Sequence, residues 1–118
     1  LYLLTKHRSD SNTCLYRFDS FDPLIDNPVT KLGSYPIRGM VTAADTSEDG
    51  SRLVVLTYNA VWMFESDIDD YFEGKTSWLP ISAKQCEGIC FDNDTILISN
   101  EQTELFSIPV SDLILIKE

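Results

Sequence analysis

The chain is poor in the residues that most enzymes rely on. It has a single histidine, His7, inside the polar run HRSDSNT at 7–13. Any Ser-His-Asp or Cys-His arrangement would have to use it, and no nucleophile signature such as G-x-S-x-G accompanies it. Three cysteines, Cys14, Cys86 and Cys90, form no C-x-x-C pair, and one imidazole with three scattered thiols does not make a zinc site. Four apart on a strand, Cys86 and Cys90 would stand about 13 Å from each other. That is beyond disulfide reach, so the three read as buried free thiols acting as small hydrophobes.

Basic residues are also scarce. Nine Lys and Arg face nineteen Asp and Glu, a formal charge of −10. Nucleic acid partners need dense Lys and Arg along the phosphates, so this balance excludes them. It equally disfavours an anionic membrane surface, and no apolar run approaches the length that spans a bilayer. A solvated acidic surface, or one that takes a cation or a basic partner, fits. No phosphate-binding loop or dinucleotide fingerprint occurs. The acidic run Asp67, Asp69, Asp70, Glu73 does not match an EF-hand loop and reads as a solvated face.

What is present is a β pattern, clearest from Thr42 to Glu65, TAADTSEDGSRLVVLTYNAVWMFE. Asp49-Gly50 is a strong hairpin signal, because the turn needs positive φ and glycine reaches it without strain. After it, Leu53 to Tyr58 is apolar on both alternating faces, as in a strand covered on both sides. In the next strand Trp62 and Phe64 share one face, Val61 and Met63 the other. Such a middle strand suits a sheet stacked between two similar sheets.

A looser copy begins at Glu87, where EGICFDND aligns with TAADTSED, so that Glu87 falls where Thr42 does. Ile96 to Asn100 then matches Leu53 to Thr57, and Leu105 to Ile108 matches Val61 to Phe64. A partial copy opens the chain, with Leu1 to Thr5 on the first pattern and Leu15 to Asp19 on the second. Three related units at a period of about 40–50 residues point to a propeller or another repeat array. The expectation is an all-β fold: a partial β-propeller of about three antiparallel four-stranded blades, in one domain spanning 1–118. The first blade, 1–35, is incomplete, the second covers 36–83 and the third 84–118. Val29 to Tyr35 serves as the outer strand of the first. Thr76 to Ser82 closes the second, with Pro80 fitting an edge strand, and Ile114 to Lys117 closes the third after a turn at Pro109 to Asp112. A short helical insert near 67–73 has Ser66 or Asp67 as its cap, Gly74 as its end, and Ile68, Tyr71 and Phe72 packed on the sheet.

Ser47-Glu48-Asp49-Gly50 followed by Leu53 resembles the S-P-D-G-x-x-L pattern of TolB-type propeller repeats, with glutamate in place of proline. The Gly-His and Trp-Asp dipeptides of WD repeats are missing. The resemblance implies a fold and no chemistry, since propellers host hydrolases, lyases and interaction modules alike. Glu87-Gly88-Ile89 resembles the blade openings of gluconolactonase and esterase-like phytase propellers. In gluconolactonase-type enzymes that glutamate binds a divalent cation in the central channel. The resemblance implies Glu87 as one ligand; Asn100 and Glu101, at the end of the neighbouring strand, are further oxygen donors suited to Ca²⁺.

Four blades are the usual minimum for a closed ring. The expected partners are therefore the missing blades of the same chain, of which this is a carboxy-terminal piece, or a second copy that closes a ring. A lone piece exposes Leu1 to Leu4 as an apolar edge. The function expected first is a non-catalytic module that binds a protein or small ligand across the channel face. The alternative is a metal-dependent lactonase or phosphoesterase with most of its site on other blades.

Overall fold

A computed structural model describes residues 1–6, 12–66 and 70–118. It is all-β, with every strand pairing antiparallel. The first sheet joins β1 (Tyr2–Leu4), β2 (Thr13–Phe18) and β3 (Val29–Tyr35) in that order. The middle sheet runs β4 (Val41–Thr46), β5 (Arg52–Thr57), β6 (Ala60–Glu65) and β7 (Lys75–Pro80). The third joins β8 (Cys86–Asp92), β9 (Thr95–Asn100) and β10 (Leu105–Pro109). A last strand, β11 (Ile114–Lys117), returns to the middle sheet and pairs with β7.

The middle sheet is the centre of the fold because β5 and β6 are apolar at nearly every position. Leu53, Val55, Trp62 and Phe64 point to one side, where they meet Leu15, Ile37, Tyr71 and Phe72. Val54, Leu56, Val61 and Met63 point to the other, against Cys86, Ile96 and Ile98 of the third sheet. Aromatic rings close the first interface, with Tyr35 5.0 Å from Phe64 and Phe72 4.9 Å from Phe64. Two cores therefore share one sheet, and each valine buries apolar area worth ~1.5–3 kcal/mol.

At one edge of each sheet β4 and β8 lie side by side. Thr42 Oγ donates to the Cys86 carbonyl oxygen at 2.9 Å, and the Phe91 amide donates to Asp45 Oδ2 at 2.9 Å. Both strands shift register near their starts: β4 between Val41 and Ala43, β8 between Cys86 and Gly88. The extra residues are Thr42 and Glu87, the pair that the sequence alignment equates.

Several expectations are corrected. The middle and third sheets have five and three strands in place of four each, because Ile114–Lys117 pairs with β7 and leaves β10 without a fourth strand; the first has the three expected of it. Leu113, just before β11, packs on the second core. β7 is consequently an inner strand, and Pro80 is tolerated because β11 extends only as far as Trp78. The insert contains a 3₁₀ turn at Tyr71–Glu73 ended by Gly74, as the glycine indicated. Its cap is Asp70, whose side chain accepts from the Phe72 amide, not Ser66. Cys86 is buried, but Cys14 is half-buried and Cys90 is exposed on the third sheet. His7, and with it Asp67, Ile68 and Asp69, lie outside the described residues.

Candidate functional site

One end of the stack gathers the three candidate cation ligands, Glu87, Asn100 and Glu101. The rungs Val41–Thr57, Ala60–Pro80 and Cys86–Asn100 mark this end. Lys6 follows β1, Tyr58 and Asn59 form the β5–β6 turn, and Glu87 is the extra residue of β8. Lys6 Nζ lies 5.9 Å from the centre of the Tyr58 ring, and the Tyr58 hydroxyl donates to Glu87 Oε1 at 3.3 Å. Side chains from three sheets thus meet in one line across the stack.

Of the three candidate cation ligands, Glu87 is exposed and engaged by Tyr58. The oxygen of Asn100 is already used. It accepts from the amides of Gln102 at 3.1 Å and Glu104 at 3.0 Å, while its Nδ2 donates to Glu104 Oε1 at 3.1 Å. That arrangement closes the 101–104 turn, in which Thr103 sits at φ 62°. Glu101 is exposed, and its amide donates to the Gln85 carbonyl oxygen at 3.3 Å. The structure brings Glu87 to Tyr58 and Asn100 to Glu104. Among the described residues no cluster of three or more His, Cys, Asp or Glu side chains forms in ligand geometry.

The opposite end carries the Asp49 turn. Asp49 Oδ1 accepts from the Ser51 amide at 3.0 Å, the Ser51 hydroxyl at 2.7 Å and the Ser47 hydroxyl at 2.8 Å. These bonds, led by the Ser51 amide, pull its pKa down to about 2. Gly50 takes φ 76°, the positive value that the Asp-Gly pair foretold. Asp70 titrates above its ordinary range because burial disfavours its charge. Both carboxylates organise turns, and Asp49 also lines an open cleft of about 580 Å³ with Asp45, Glu48, Arg52 and Asp92.

Sequence reasoning missed an aromatic groove at the first end. Arg38, on the crossing from β3 to β4, faces Trp62, Trp78, Pro80 and Ile81 across an open space of about 600 Å³. Trp62 and Trp78 stand directly opposite each other on β6 and β7, with ring centres 6.4 Å apart at 60°. The only signal in the sequence was the pair of tryptophans itself, whose pairing depended on how the Ser66–Gly74 connection folds. A second groove, of about 580 Å³, runs between β1 and β4 beside the exposed Leu1 and Leu3.

No family model matches the chain, and neither a curated protein nor a solved structure is significantly similar to it.

Proposed function

We propose that the three sheets are blades of a β-propeller and that the chain is a non-catalytic binding module. Its ligand-facing end is the one where Lys6, Arg38, Tyr58 and Glu87 collect. The observation that carries this reading is the matched register shift: Thr42 and Glu87 are extra residues at equivalent places in two neighbouring edge strands. Bulges recur where a strand must re-aim its backbone, and repeated units repeat them. The double burial of β5 supports the same reading, since an inner blade of a ring is covered on both faces. Further blades, from the same chain or from a second copy, would then complete the ring beside β1 and beyond the third sheet.

Titration calorimetry with Ca²⁺ tests the non-catalytic half of this proposal. The expected result is no saturable heat, either for the protein or for its Glu87→Gln variant. Saturable heat that disappears in Glu87→Gln would replace this reading with the metal-dependent hydrolase, in which Glu87, Asn100 and Glu101 hold the cation.

A further inference from the structure

We infer that the groove between Arg38 and Trp78 binds a small organic carboxylate with a flat apolar body. This inference needs only the middle sheet and its flanking turns, so it does not depend on the propeller reading.

The groove is built from fixed pieces. Ile37 is fully buried and pins the connection that carries Arg38, and its amide donates to the Tyr35 carbonyl oxygen at 2.9 Å. Gly39 takes φ 90°, and a Cβ there would lie 3.2 Å from Asn59 Oδ1, so the connection runs close against the β5–β6 turn. That turn is held by Thr57, whose hydroxyl donates to Asn59 Oδ1 at 3.0 Å and accepts from the Ala60 amide at 3.1 Å. The Ile81 amide donates to the Asn59 carbonyl oxygen at 2.9 Å and fixes the far wall. A preformed groove binds without first ordering itself.

Its chemistry selects the ligand. A volume of about 600 Å³ falls within the roughly 300–1,000 Å³ of ordinary small-molecule sites, which are mostly apolar with few polar groups. The two indoles meet edge to face at 60°, and Pro80, two residues beyond Trp78 on β7, extends the same apolar wall towards Ile81. A flat hydrocarbon ring can lie against such a wall, because aromatic faces prefer offset or edge contacts.

One accessible donor remains for the polar end. Arg38 is exposed and makes no ion pair with a described residue. Trp62 is 8% exposed, and its buried Nε1–H finds no acceptor among the described residues. A planar guanidinium takes a carboxylate through two parallel hydrogen bonds. In a chain of charge −10, an anion is repelled from most of the surface, so recognition falls on Arg38.

The chain has two tryptophans, and both line this groove, so intrinsic tryptophan emission reports on it directly. The probe is 3-phenylpropanoate, with 3-phenylpropanamide as its neutral counterpart. The expected result is a saturable emission change with the acid and binding about tenfold weaker with the amide, the factor that loss of one charge-assisted pair brings. Arg38→Gln should weaken the acid by about the same factor and leave the amide unchanged. The Trp62 Nε1–H resonance should move on titration with the acid. Equal affinity for acid and amide, acid binding that survives Arg38→Gln, or no saturable change would each overturn the assignment. Ca²⁺ binding at Glu87 would leave it standing.

Discussion

Thr42 donates its hydroxyl hydrogen to the Cys86 carbonyl oxygen across 2.9 Å, tying the edge strand of the middle sheet to that of the third. Thr42→Val keeps the shape of the side chain but removes the donor and leaves a carbonyl without it. The variant should lose about 1 kcal/mol, the usual net worth of such a bond. Urea unfolding with an unchanged m-value checks this. Wild-type stability would mean that the two edges are not joined there.

Two glycines that look alike in sequence should behave differently. A Cβ on Gly74 would lie 1.8 Å from the Glu65 carbonyl oxygen, which is backbone and cannot step aside. A Cβ on Gly88 would meet Ser99 Oγ at 2.5 Å, and that hydroxyl can rotate away. Gly74→Ala should therefore cost about 3 kcal/mol, and Gly88→Ala less than about 1 kcal/mol. Denaturant titration of both variants makes the comparison, and a reversed order would refute it.

The strands that could be read from sequence were those with a strong local pattern. LVVLTY was apolar on both faces, and the alternation Val61, Trp62, Met63, Phe64 assigned each side chain to its core correctly. Thr42 and Glu87, which the sequence alignment equates, both prove to be bulge residues. The failures concern choices made at long range. Ile114-Leu115-Ile116 has no alternation to reveal its partner, and all three remain exposed on β11, so nothing local distinguished β7 from β10. Cys90 looked buried because its strand is apolar, but the outer face of the third sheet has no cover among the described residues. The contact of Tyr58 with Glu87 needed the sheets to be stacked first.

The β11 register can be tested by cross-linking. Leu115 lies opposite Ser77 on β7, so Ser77→Cys combined with Leu115→Cys should form a disulfide under mild oxidation in a background where the native thiols are replaced. Peptide mapping identifies the bond. Ser107→Cys on β10 combined with Leu115→Cys should give none, and the reverse outcome would restore Ile114–Lys117 to the third sheet.

Asp49 gives a pH prediction. Its folded pKa is depressed from 3.8 to about 2 by the Ser51 amide, the Ser51 hydroxyl and the Ser47 hydroxyl. A depressed carboxyl pKa stabilises the fold fully above the ordinary value, and that contribution is lost as pH falls from 3.8 towards 2. Carbon-13 titration of the Asp49 carboxyl should show a midpoint near 2, moving up in Ser51→Ala. A midpoint at 3.8 would show that the turn does not hold the carboxylate.

The middle sheet buried between two others is the premise for the rest, and adjacent valines of β5 test it most directly. Val54 faces the third sheet and Val55 the first, and both are 0% exposed. Equilibrium unfolding of Val54→Ala and Val55→Ala should show two comparable losses of about 2 kcal/mol, one from each core. If either variant falls within about 0.5 kcal/mol of the wild type, that face is open to solvent and the three-sheet stack is wrong.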